Sequence, residues 1–567
     1  MANWHDENNN PAHHINQVLA SAGHLLQTWQ SAPQPVFAPS PSPIWTDTGR
    51  RLAAAGLPWH NNQINLPDET DSAWPFHFKA LEARVLRRLG ARVGMPEPSG
   101  YVSDPAEANC YCVRALQREL RVTFPGRRPV LLHDRFDAEL VRMFGEFFGL
   151  ETHRVDLSSS WPDNGARQEE EEGEEDVETR VMRVTAQGTR PIIFAASTAT
   201  AEAECDDLAA VARLSEKFAV LLHVDASRNF DYLTAMPAGR RHQYGLETLA
   251  LGTKRRPEEP LRSPLDGSIT AGTIVAGSLH HRSRHGPVAA LKPPSLGGGR
   301  GTRVAYIRSY DSTLGGSRDA IAPLWLSVAE ARLGDRGAGE VCRHLEELQT
   351  ALLTALEAVG VPAYAPPYCP DVVVQSCTEA QRQRLLDLGG VPTDRGTVVL
   401  CVQPQLTVES LASAMAPWHP LAASPPPLLL PKHKDFARLY PVREDDMDHL
   451  RATVRSWKVC TRSTAGSPVH MGSLSALGPV VGRFFPVGIP RPWVDGVERS
   501  LLEARAVSFG LETPERRREF KGGFTTGSTM GNRCGIHAAL AQFPGAFVYV
   551  SAAAHYSVMK ILQDCDA

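Results

Sequence analysis

The chain has 567 residues, 42% hydrophobic and 22% charged, the balance of a soluble globular protein with several folding units. A formal net charge of −4 gives no electrostatic pull toward nucleic acid or a membrane surface. No apolar run approaches the roughly 20 residues that span a bilayer. The ten cysteines are scattered, with Cys110 and Cys112 too close for a CxxC motif, and they read as reduced thiols rather than disulfides or a zinc site. MANWHDENNNPAHH has neither a basic start nor an apolar core, so a cytoplasmic location is expected.

Residues 1–50, rich in Asn, Pro, Ser and His, read as a loosely docked arm. A large domain is expected over 51–335. HFKALEARVLRRLGARV carries Leu and Val at helical spacing. RPVLLHD, RPIIFAAS, FAVLLHVDAS and TIVAGSL are apolar runs of strand length, and the helical patterns AELVRMFGEFFGL and DDLAAVARLSEKF lie between them. Strands alternating with helices build an α/β fold, a mostly parallel sheet covered on both faces. The acidic run Glu169–Asp176 reads as a solvated insertion between a strand and a helix. A small α+β domain is expected over 336–420, opening with an amphipathic helix at 340–358 and continuing through DVVVQS, GTVVLCVQP and TVESLASAMAPW. A proline-stiffened linker is placed at 421–445.

Residues 446–567 repeat earlier sequence. LEAR occurs at Leu81–Arg84 and again at Leu502–Arg505. GYVSDPAEAN (Gly100–Asn109) aligns without gaps to GFTTGSTMGN (Gly523–Asn532), and FPG recurs before an apolar run at Phe124–Gly126 and Phe543–Gly545. Matches in one order with nearly constant offsets point to duplication, and a period of roughly 420 residues is far too long for a solenoid. The expectation is a tandem of two domains, the second cut after its first strand and helix.

The late copy carries TTGSTMGN ahead of a helix. Small residues admit a ligand close to the backbone, and hydroxyls with helix-start N–H groups suit a phosphate. In the complete copy, LLHVDAS puts Asp225 at the C-terminal end of a buried strand, where a carboxylate is costly without a cationic partner. Further on, after another strand-like run, LALGTKR supplies Lys254. Taken singly, these two residues read equally well as a capping aspartate and a surface lysine.

Taken together, the Gly/Thr loop, HYSV after SAAA, HVDAS, the lysine and STLGGSR (Ser312–Arg318) resemble the pyridoxal-phosphate-dependent group II amino-acid decarboxylases of fold type I. The resemblance covers about residues 50–420, and again 460–567. It implies a small-molecule amino-acid substrate and pyridoxal 5'-phosphate as cofactor, held by Lys254 as a Schiff base. Asp225 would keep the pyridine nitrogen protonated, with His223 beside it and Ala226 under the ring. Ser103 would stand in the phosphate loop, Thr200 in the family's GTT segment and Thr253 at its His-Lys pair. Gly316 and Ser317 would lie near the phosphate end across a dimer interface. The resemblance also implies a homodimer, or an intramolecular pseudo-dimer of the two copies.

Several positions depart from the family pattern. The complete copy has Ser103-Asp104-Pro105-Ala106 where a Gly-Gly-Thr-type loop is expected, which sets a carboxylate beside the phosphate position and removes an N–H donor. The histidine expected to stack on the cofactor is Phe136 or Asp137, depending on a one-residue gap. The truncated copy keeps Thr526, Gly527, Ser528, Asn532 and His555, with no counterpart of Asp225 or Lys254 to follow. An active carboxy-lyase, a catalytically degenerate relative and another carbon–carbon lyase all remain open at this point, and Lys292 stands as the alternative lysine, read as part of a Gly/Pro-rich loop.

Overall fold

The computed structural model describes Phe37 and, with short interruptions, residues 78–157, 177–237, 272–318, 321–415 and 528–565. The acidic run at 169–176, the linker at 421–445, Thr253, Lys254, Ser317, Thr526 and Gly527 lie outside the described residues.

The large unit runs α1 (Lys79–Arg92), β1 (Ser99–Ser103), α2 (Pro105–Thr123), β2 (Val130–His133), α3 (Ala138–Phe148), β3 (Glu151–Arg154) and α4 (Val177–Val184). It continues through β4 (Ile192–Ser197), α5 (Leu208–Lys217), β5 (Val220–Ala226), α6 (Phe230–Ala235), β6 (Gly272–Gly277) and β7 (Val288–Lys292). These strands form one seven-stranded sheet in the order β1-β7-β6-β5-β4-β2-β3. β6, β5, β4, β2 and β3 pair in parallel, while β7 runs antiparallel to both of its neighbours.

The Leu- and Ile-rich runs of β2, β4 and β5 are buried because the sheet is covered on both sides. Alternate residues divide between two cores. Leu132, Phe194, Leu222 and Val224 join one core, with Leu86 and Leu89 of α1. Leu131, Ile193 and Leu221 join the other, under α2 and α3. Each such side chain contributes about 1.5–3 kcal/mol by burial. β1 lies so close to β7 that a Cβ on Gly100, at φ +147°, would fall 1.9 Å from the carbonyl oxygen of Ala290. Only glycine fits there.

A short ribbon, β8 (Thr302–Val304) with β9 (Ser309–Asp311), precedes α7 (Ile321–Ala358), a helix of 38 residues. α7 packs on α1 and α6 and then reaches the small unit. That unit comprises β10 (Ala363–Tyr364), β11 (Val372–Val374), α8 (Glu379–Asp387), β12 (Val391–Pro392), β13 (Val398–Leu400) and α9 (Val408–Met415). Its antiparallel sheet has the order β10-β11-β13-β12. The boundary expected at 335 therefore falls inside an unbroken helix, because one apolar stripe serves both units. Phe37 of the arm is buried, and its N–H donates to the Leu388 carbonyl at 2.8 Å.

Near the end of the sequence, α10 (Ser528–Gln542) and α11 (Tyr556–Asp564) pack on each other and against the large unit. The nine described cysteines are all free thiols. Among the described residues there is no metal-binding group of side chains, and no helix is long and apolar enough to cross a membrane.

Candidate active site

β5 ends at the carboxyl edge of the parallel strands, where open α/β sheets bind ligands. His223 and Asp225 share the face turned to α2. His223 is fully buried, with Nδ1 2.9 Å from the Thr273 hydroxyl of β6 and Nε2 2.6 Å from Oδ1 of Asn109 on α2. Because Asn109 Oδ1 only accepts, Nε2 carries the ring proton and Nδ1 accepts from Thr273. Burial pushes the His223 pKa down to about 3, so the imidazole is neutral.

Asn109 Nδ2 donates to the Pro105 carbonyl at 2.8 Å and to Asp225 Oδ2 at 3.3 Å, and the Ser227 N–H donates to Asp225 Oδ1 at 2.9 Å. A relay of Thr273, His223 and Asn109 thus fixes the carboxylate. Asp225 is half-buried, and desolvation raises its pKa against the pull of the Ser227 and Asn109 hydrogen bonds. Among the described residues no lysine or arginine pairs with it.

Other expected residues fall elsewhere. Ala226, expected under the cofactor ring, is on the other side of β5 from Asp225. As the next residue of a strand it turns to the opposite face, into the core with Val224 and Leu222. Thr200 closes a local turn, its Oγ1 accepting from the N–H groups of Glu202 and Glu204. Thr198 is the threonine that reaches the end of β5, with its hydroxyl 3.0 Å from the Asp225 carbonyl. The Phe136 ring is buried with its centroid 5.8 Å from that of His223, while Asp137 caps α3, accepting from the N–H groups of Glu139 and Leu140. His555 caps α11 in the same way, through the Ser557 N–H.

The start of α2 is closed. Asp104 is its N-cap and accepts from the Glu107 N–H at 2.9 Å, Pro105 opens the helix, and the Ser103 hydroxyl donates to the Asp104 carbonyl at 3.1 Å. The buried Glu107 carboxylate accepts from Tyr101 Oη and from the Gly315 N–H, both at 2.8 Å. Arg318 pairs with Glu82 of the first LEAR and stacks 5.0 Å from the Tyr101 ring. The GYVSDPAEAN and STLGGSR segments are therefore knitted together by carboxylates, which occupy the N–H groups of Glu107 and Gly315. Gly316, at φ +81°, faces α10: a Cβ there would lie 3.0 Å from Thr529 Oγ1. There, Ser528 opens α10, Asn532 Nδ2 donates to Ser557 Oγ at 3.4 Å, and His555 is exposed.

β6, which follows Lys254 in sequence, pairs in parallel with β5. Lys292 closes β7 rather than lying in a loop, and its Nζ donates to the Leu296 carbonyl at 2.8 Å. Asn109, Thr198 and Thr273 escaped the sequence reading. Asn109 did carry a signal, as the asparagine shared by both repeats.

No family model and no curated protein matches the sequence. Solved structures do match. L-Methionine decarboxylase from Streptomyces sp. 590, in its internal aldimine form, gives a TM-score of 0.52 at 16% identity, covering 72% of this chain and 95% of that one. The chain has a decarboxylase-type fold. The same enzyme with L-methionine methyl ester, in the external aldimine form, also scores 0.52 at 16% identity, covering 72% and 94%. Glutamate decarboxylase of Lactobacillus brevis CGMCC 1306 is more distant, with a TM-score of 0.47 at 13% identity over 72% and 91%.

Proposed function

We propose that the chain is a pyridoxal-phosphate-dependent carboxy-lyase that converts a small amino acid to an amine. The observation that carries this is Asp225: a desolvated carboxylate at the carboxyl edge of a parallel sheet, fixed by N–H donors and without a cationic partner among the described residues. Such a group suits a protonated ring nitrogen. When bound, pyridoxal phosphate supplies the electron sink for the pair left behind as CO₂ departs. The residues of this copy fit the ring end of that group. Asp225 would hold the ring nitrogen's proton, Asn109 and the neutral His223 would keep the carboxylate aimed, and the Phe136 ring would close the apolar side. Lys254 is the proposed attachment lysine, with Thr253 beside it. The start of α2 does not fit the phosphate end, since Asp104 already occupies it.

That cap favours a second reading, in which this copy is a decarboxylase-like domain without turnover. Titration with pyridoxal phosphate, followed by visible absorbance, separates the two. A saturable visible band, lost in Lys254→Ala and weakened in Asp225→Asn, is expected of the enzyme. A protein that stays colourless at excess cofactor is the degenerate form. Asp225→Asn should lower turnover roughly 100–1,000-fold, as removal of one preorganised electrostatic partner does.

A further inference from the structure

We propose that α10 and α11 occupy, within a single chain, the place of a second subunit, and that they meet the large unit across an approximate two-fold axis. The proposal is independent of whether the site at Asp225 turns over a substrate.

The two helix pairs correspond. α2 and α10 grow from aligned sequence ending in Asn109 and Asn532, while α3 and α11 follow the two FPG turns. Asp137 and His555 are the N-caps of α3 and α11, each accepting from N–H groups of the first turn. In both copies the two helices pack on each other.

The contacts between the copies are reciprocal. α2 reaches α11, with Arg114 at 2.7 Å and Arg118 at 3.1 Å from Asp564. α10 reaches α3, with the His537 ring centroid 4.9 Å from that of Phe147 and the Arg533 guanidinium 5.9 Å from the same ring. Arg114 and His537 each stand five residues after the shared asparagine. Asp564 stands nine residues after its N-cap and Phe147 ten after its own. The counterpart of Asp564 by this count is Glu146, the neighbour of Phe147, so exchanging the copies carries the α2–α11 contact onto the α10–α3 contact helix for helix, the pattern of an isologous interface. A segment that docked by chance would have no reason to return the exchange.

The interface is built like an interior. Arg533, Lys560 and Ile561 are fully buried, and Asp311 of β9 accepts from Lys560 Nζ at 2.6 Å and from Tyr556 Oη at 3.0 Å. Asp564 also pairs with Arg533 at 2.6 Å. Separating the copies would strand these charges, which holds the segment in place. In the stretch that joins α10 to α11, Phe547 is 87% and Tyr549 94% exposed.

The test uses the full chain. Light scattering across a dilution series should give a monomeric mass throughout, and hydrogen exchange should show α10 and α11 equally protected at every concentration. Protection that fades together with a falling mass would mean that another chain supplies the helices. Unprotected helices at all concentrations would mean that they do not dock. Either result overturns the proposal. If the mass is dimeric and protection survives dilution, heavy- and light-isotope chains are mixed before carbodiimide coupling of Lys560 to Asp311. Coupled peptides of one isotope support docking within the chain, and mixed pairs overturn it. Asp564→Arg should speed exchange in α10 and α11 by at least about 100-fold, with Asp564→Asn the milder variant, while β4, β5 and β6 stay protected as the folding control. No change in either variant would also overturn the proposal.

Discussion

α2 and α10 grow from aligned sequence, SDPAEAN and TGSTMGN, yet their first turns face different surroundings. α2 begins under its own Asp104, with Pro105 in place of a donor and the Glu107 carboxylate buried nearby. α10 begins with two hydroxyl residues, and Thr529 lies against the Gly316 turn of the other copy. The same positive helix end is neutralised internally in one copy and carries no carboxylate of its own in the other. A resemblance in order of motifs thus says little about whether a given loop can hold an anion.

The largest effect should come from uncoupling the copies. Asp311→Ala leaves the Lys560 ammonium buried without its carboxylate, and a loss of about 3–5 kcal/mol is expected in denaturant unfolding. A loss below about 1 kcal/mol would mean that the copies are held by apolar contact instead.

The next prediction concerns pH. His223 has its pKa pushed to about 3 by burial, below its ordinary value of 6.5. The unfolded chain takes up a proton there below 6.5 and the folded chain does not until about 3. The stability it contributes is therefore complete above 6.5 and is lost as pH falls toward 3, at up to about 1.4 kcal/mol per pH unit. Unfolding curves at about pH 7 and pH 5 should differ accordingly, and His223→Gln should shrink the difference. The smallest effect on stability belongs to Asp104→Ser, which keeps a capping oxygen and removes the charge. Stability should move by less than about 0.5 kcal/mol, while pyridoxal phosphate should bind more tightly by titration. Unchanged affinity would clear Asp104 of blame for the closed loop.

The sheet was largely legible in the sequence. The four apolar runs became β2, β4, β5 and β6 because strands covered on both faces must be apolar throughout. β3 was not, since ETHR is an edge strand with exposed ends and no apolar pattern. β1 hid inside a segment aligned as a loop, because Gly100 looks like a turn residue and serves a close backbone approach instead. At the site, Asp225 and His223 were readable from HVDAS. The part played by Asn109 was not, because the shared asparagine marks the residue while its contact with β5 comes from α2 crossing the strand. Thr200 was named by motif alignment, and only the geometry of the turn shows Thr198 reaching the end of β5 instead.

The unbroken α7 constrains how the molecule can move. A helix of 38 residues is about 57 Å long. It is anchored against α1 and α6 at one end and carries the small sheet at the other. A joint between the two units would need to bend this rod, breaking backbone hydrogen bonds. The small unit is therefore expected to swing only as a rigid arm with α7, so that any closure over Asp225 falls to the loops and not to a hinge between the units.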